Sequence, residues 1–199
     1  MVVKPIVSPA VPDLGRAWTF ADWEGLPDDG NRYEVLDGVL YMTTAPSNFH
    51  QWIVLNLYEH FGRPGRFANL GFPFMAPIGV IMAGMTPVQP HFLFVTASKV
   101  GIIHEGKIRG VPDLIVEVLS PSNRDYDEAV KLNAYARAGV PELALVDPAA
   151  RQVRLYTHDG VGYGAPRLLN AADPLSFACL PGISALVQAL FEGAPDTTL

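Results

Sequence analysis

"VPDLIVEVLSPSNRDYDEAVK", residues 111–131, is the stretch on which the reading of this chain turns. A run of β-formers carries two carboxylates, Asp113 and Glu117, and a Ser-Pro-Ser turn leads from it into a helix-like segment with Asp127 and Lys131. Side chains alternate along a strand, so Asp113, Ile115 and Glu117 share one face, and Leu114, Val116 and Val118 the other. At about 3.3 Å per residue the two carboxylates stand roughly 13 Å apart, too far to hold one metal ion together. Asp113 sits at the entry of the run and reads as a strand-end or turn group. Glu117 sits deep within it, where an ionised carboxylate is costly unless it is paired or binds a metal. Two readings follow for Glu117: a salt bridge, with Lys131 as partner, or a ligand for a divalent cation, with Lys131 close to a substrate. In the second reading the next ligand must come from a neighbouring strand. Asp127 and Lys131 lie four apart, the spacing of an ordinary helix-surface pair.

Working outward, Thr19 caps a short helix through Trp23, with Asp22 near its start. "RYEVLDGVLYMT" reads as a hairpin turning at Asp37-Gly38. "SNFHQWIVLNLYEHF" has helical spacing, an N-cap at Ser47 or Asn48, and a stop at Gly62 and Pro64. Two short strands are expected near 78–82 and 90–95, and a surface excursion over 98–110. The helix from about 125 to 138, with Ala129, Leu132, Tyr135 and Ala136 on one face, ends at Gly139. "ELALVD" and "QVRLYT" form strands around the turn "PAAR". A weak strand near 174–178 and an amphipathic helix, "ISALVQALFEG", close the chain. This order of elements predicts an α/β (α+β) fold with a central mixed sheet flanked by helices.

The 199 residues, 49% hydrophobic and 17% charged, suit one globular domain, expected over 19–199 behind an irregular arm at 1–18. The single cysteine, Cys179, excludes an internal disulfide and any zinc-finger spacing, in keeping with a reducing, cytoplasmic setting. Residues 67–98 hold no Asp, Glu, Lys or Arg, but Pro73, Pro77, Pro87 and Pro90 break them into short strands, and no membrane span is expected. A net charge of −6 argues against nonspecific DNA binding by the whole surface. It leaves room for one basic groove gathered from Arg63, Arg66, Lys99, Lys107, Arg109 and Arg124.

"RYEVLDGVLY", "SNFHQWIVLNL", "VQPHFLFV", residues 111–148 and "CLPGISALVQALF" occur in an order that resembles the Uma family of restriction endonucleases, within the PD-(D/E)XK superfamily. The resemblance implies a restriction-endonuclease-like core and metal-dependent hydrolysis of DNA phosphodiesters. It implies catalytic roles for Glu117, Lys131 and Glu34, and metal ligation by Glu117 and residue 91. The lysine two residues after the acidic residue is replaced by Leu119, and Lys131 on the following helix matches its substitute. His50 matches a histidine of the first long helix. The chief departure is Pro90-His91, where the family pattern reads Pro-Asp. Imidazole in place of a carboxylate weakens a site for Mg²⁺ and suits Mn²⁺ or Zn²⁺ better. With no metal, His91 hydrogen-bonds Glu117. Three functions stay open at this level: a metal-dependent nuclease, an inactive relative that binds DNA or a partner protein, and a fold retained for assembly as a homodimer.

Overall fold

The structure, a computed structural model, describes residues 15–26, 32–36, 38–43, 46–83, 87–120 and 126–194. Most of the expected arm, Asp37 of the hairpin turn, Arg124, and the side chains of Asp127 and Ala129 lie outside the described residues. Helix α1 (Phe20–Glu24) begins at a capping box in which Thr19 and Asp22 satisfy each other's backbone N–H. Strands β1 (Arg32–Leu36) and β2 (Val39–Thr43) form the expected hairpin. Its apolar face, Tyr33, Val35 and Leu40, packs on Trp18, Trp23 and Leu26, and the Trp23 indole donates to the Tyr33 carbonyl at 2.8 Å.

Helix α2 (Asn48–Leu57) starts at Ser47, whose hydroxyl accepts the His50 N–H. Its expected stop at Gly62 and Pro64 is not observed. The helix widens through a π-type turn, Tyr58–Gly62, and continues as α3 (Arg63–Phe67). Pro64 falls in the first turn of α3, where a missing N–H costs little. Gly65 is a packing residue: a Cβ there would lie 2.6 Å from Leu180 and 2.9 Å from Phe94.

Strand β3 (Gly71–Met75), not anticipated because of Pro73, lies at an edge of the main sheet, where strand prolines are tolerated. Strands β4 (Gly79–Ile81) and β5 (Phe92–Thr96) match the expected pair. The segment read as an excursion is more ordered than that: a 3₁₀ turn over Ala97–Ile102 precedes β6 (Ile103–His104) and β7 (Lys107–Arg109), and β7 joins β4 in parallel to make a small three-stranded sheet. Strand β8 (Leu114–Val118) is the central strand foreseen. A π-type turn, Tyr126–Lys131, leads into α4 (Leu132–Ala138), which ends at Gly139 in the left-handed region (φ +76°). Strands β9 (Glu142–Asp147), β10 (Gln152–Thr157), β11 (Arg167–Leu169), β12 (Pro174–Ser176) and β13 (Ser184–Leu186) follow.

The main sheet runs β11-β10-β9-β8-β5-β3. Only β8 and β9 pair in parallel, and α4 supplies the crossover that parallel neighbours require. The closing amphipathic helix is corrected: β13 pairs with β12, and only a 3₁₀ turn, Val187–Leu190, follows. Backbone bonds from Val187 to Asp173 and from Gln188 to Ala171 hold that geometry, while Val187 and Leu190 still reach the core that a helix would have reached.

The alternation in β8 and β5 divides two cores. Leu114, Val116, Val118, Phe92 and Phe94 pack with α2 and the C-terminal segment. Ile115, Leu93 and Val95 pack with α4 and the small sheet. Glu117, between Val116 and Val118, therefore points toward α4.

Candidate functional site

Glu117 is fully buried, and three chain segments bring polar groups to it and to its partner Lys131. From α4 and the turn before it come Lys131, whose Nζ lies 3.1 Å from Oε1, and Tyr135, one helical turn later, whose hydroxyl donates to the same oxygen at 2.7 Å. His91 comes from the residue just ahead of β5. The register pairs Phe92 with Val116, so His91 falls opposite Glu117, and its Nδ1 is 2.6 Å from Oε2. Glu34 comes from the hairpin: Lys131 Nζ is 3.2 Å from its Oε2, and the Gln89 N–H donates to its Oε1 at 2.6 Å. The hairpin reaches this position because the Val35 N–H binds the Pro87 carbonyl. The structure thus unites Glu34, His91, Glu117 and Lys131. Tyr135, which sequence reading placed only on the apolar face of its helix, is the fifth member. Its signal was the i, i+4 spacing from Lys131, which puts both side chains on one face.

Burial alone drives the Glu117 carboxyl upward, but the Lys131 ammonium, then His91 and the Tyr135 hydroxyl, outweigh it and hold the group well below the usual carboxylate range. The group is a carboxylate ringed by donors. His91 Nδ1 also faces the Val118 N–H at 3.1 Å, and one nitrogen cannot donate to Glu117 and accept from Val118 at once. The proton belongs on Nδ1, because a lone pair turned toward a carboxylate oxygen at 2.6 Å would be repelled. Oε2 has no other donor among the described residues.

The His91 ring stands edge-to-face against His50 of α2, centroids 4.3 Å apart. His50 in turn lines a cleft of about 280 Å³ between the start of α2, the end of β8 and the turn after β9. The buried cluster is one side chain removed from this opening.

The fit of a divalent metal can be tested on this donor set. Two ligands about 2.1 Å from one ion and at right angles lie about 3 Å apart. His91 and Glu117 are closer than that and touch directly. The space between Glu34 and Glu117 holds the Lys131 ammonium, and each of the four carboxylate oxygens already faces a nitrogen donor. No group of three or more His, Cys, Asp or Glu side chains among the described residues is arranged to hold a metal ion. The arrangement does not fit an octahedral Mg²⁺ site; it is a set of buried charges that satisfy one another.

Asp113 takes the strand-end role expected of it: it accepts the Thr96 N–H at 2.8 Å and pairs with Lys99 at 2.9 Å. Other surface cations are likewise engaged, Arg63 with Glu59, Lys107 with Glu24, and Arg109 over the Phe20 ring. No helix among the described residues is long and apolar enough to cross a membrane.

Residues 19–188 match the model of a family described as Uma2, "Putative restriction endonuclease". Among solved structures, a protein described as "a putative nuclease belonging to DUF820 from Anabaena variabilis ATCC 29413" aligns with a TM-score of 0.74 over 87% of this chain and 97% of its own, at 15% identity. At that identity the likeness establishes the shared fold. No curated protein matches the chain. The match over most of its length, joined to the hairpin, the central strand and the helix that carries Lys131, makes this chain a member of the Uma2 restriction-endonuclease family.

Proposed function

We propose that this chain is a nuclease-fold protein whose hydrolytic centre has been closed by His91, and that it acts by binding rather than by cutting. One observation carries the reading: the Lys131 ammonium stands between Glu34 and Glu117, and His91 faces the remaining Glu117 oxygen. Two carboxylates, one ammonium and one imidazole leave at most a single negative charge, and none when the imidazole is protonated. A carboxylate at position 91 would add a charge that buried surroundings cannot leave uncompensated, and a divalent cation would then be drawn in. The surface cations, several matched by acidic neighbours, favour a site that does not depend on gripping phosphates.

Plasmid cleavage in Mg²⁺ and in Mn²⁺ by the natural protein and by His91→Asp tests this. The natural protein should leave supercoiled DNA intact, and His91→Asp should gain cleavage that Glu117→Gln abolishes. Metal-dependent cleavage by the natural protein, lost in Glu117→Gln, would overturn the proposal.

The convergence of Glu34, His91, Glu117 and Lys131 in one place favours a second reading, a metal-dependent endonuclease that uses a softer ion through His91. Titration calorimetry of the natural protein with Mn²⁺ and Zn²⁺ separates the two. Stoichiometric binding that His91→Ala removes belongs to the second.

A further inference from the structure

The continuous helix made by α2, the π-type turn and α3 has one side that the described residues leave open. Ile53, Leu57 and Phe61 face the core. The C-terminal segment covers a second side: the Trp52 indole donates to the Glu192 carbonyl at 2.8 Å, and the Asn56 amide donates to the Leu190 carbonyl at 3.0 Å. The open side carries Leu55, Glu59, Arg63 and Phe67, all exposed, Leu55 by 42% and Phe67 by 75%. A spacing of four overshoots the 3.6 residues of an α-helical turn and would wind such a row round the helix. The π-type turn at Tyr58–Gly62 takes in an extra residue and brings the row back into line. Glu59 and Arg63 face each other across that turn, Oε2 and Nη1 3.1 Å apart.

The row is its own complement. It reads apolar, acidic, basic, apolar, and its midpoint lies between Glu59 and Arg63. When two such helices meet antiparallel about a two-fold axis at that midpoint, Leu55 falls opposite Phe67 of the other copy, and Glu59 opposite Arg63. A two-fold contact requires this kind of pattern, because the same patch must match itself. A parallel approach in register would instead set Glu59 against Glu59 and Arg63 against Arg63.

We propose that a second copy of this chain docks on this row, forming a two-fold dimer along the helix. The matched charges and the matched apolar ends select a second copy, since no unlike surface is needed to satisfy either. From Leu55 to Phe67 the helix runs about 18 Å. A contact of that length falls short of the roughly 800 Å² per partner of a standard interface, so the dimer is weak and concentration-dependent. The inference goes beyond the reading of the buried cluster and does not rest on it. The row shares no residue with Glu34, His91, Glu117 or Lys131, so the His91→Asp cleavage experiment leaves it untouched.

The test is the mass of the full chain in solution, by sedimentation and small-angle scattering from about 10 to 500 μM. The natural chain should pass from monomer to dimer across that range. All four positions are exposed, so substitutions there should keep the fold, which circular dichroism checks. Phe67→Glu should weaken the dimer at least tenfold. Glu59→Arg and Arg63→Glu should each do the same, because each sets like charges face to face. Mixed together, these two variants should form a heterodimer. The doubly exchanged chain, Glu59→Arg with Arg63→Glu, should dimerise like the natural one. The proposal falls if the natural chain stays monomeric throughout the range, which would leave the row to some other partner. It also falls if the dimer ignores Phe67→Glu, or if mixing the two charge variants restores nothing.

Discussion

Asp113, just ahead of β8, and Glu117, within it, stand four residues apart, yet they live in different solvents. Asp113, with its side chain 13% exposed, takes one backbone N–H and one lysine that is itself 37% exposed. Glu117, wholly buried, has a buried lysine, a histidine and a tyrosine around it. The Lys99–Asp113 pair is held where water reaches the lysine and the edge of the carboxylate, so its net worth is small. The buried group cannot be left alone, and neither can the lysine brought in to meet it. One strand thus carries a dispensable pair at its entry and an obligatory one at its centre.

The sharpest way to break this contrast is Lys131→Met. It leaves Glu34 and Glu117 without the ammonium that separates them, and should cost about 3–5 kcal/mol in urea unfolding at pH 7. A loss below about 1 kcal/mol would mean that the two ends of the strand are alike after all. The pH profile adds a change of sign. In the natural protein the Glu117 carboxyl is held low, so the folded state binds fewer protons than the unfolded one. Its contribution is complete above the ordinary glutamate value of about 4.3 and is lost as the pH falls further. In Lys131→Met, burial acts without the ammonium and the carboxyl rises. Stability should then fall as the pH goes from about 5 to 7, a range over which the natural Glu117 contribution is flat.

Tyr135→Phe should have a smaller effect. It removes one donor from a charged acceptor that keeps Lys131 and His91, at a cost of about 1.5–3 kcal/mol. Measured together, Tyr135→Phe and Lys131→Met should not add, because both act on Oε1. Strict additivity would count against a single cluster.

How much of this was legible in the sequence follows the same division between local and long-range causes. The face shared by Asp113 and Glu117, and the need for a partner from a neighbouring strand, follow from period-two alternation and the cost of burying charge. His91 opposite Glu117 is the register consequence of β5 pairing with β8. The helix carrying Lys131 was marked at its end by Gly139. That Glu34 reaches Lys131 was not available from patterning, because it depends on how the hairpin docks on residues 87–89. The C-terminal segment misled because "ISALVQALFEG" has helical spacing, whereas pairing with β12 decided its backbone. Pro64 misled because a proline that stops a helix in its interior can also begin the next turn.

The smallest predicted effect bears most directly on the comparison. Lys99→Met removes the cation from Asp113 but leaves the Thr96 N–H bound to the same carboxylate, so no buried acceptor is orphaned. Lys99 also donates to the Val111 carbonyl, but at 3.3 Å and from a partly exposed side chain that water can replace. The expected loss is about 0–1 kcal/mol, and it should shrink further in high salt because exposed charges are screened. The Lys131→Met loss should hardly respond to salt, since ions do not enter the core. Equal salt sensitivity in the two variants would show that water reaches Glu117, and the closed cluster would have to be redrawn as a solvated one.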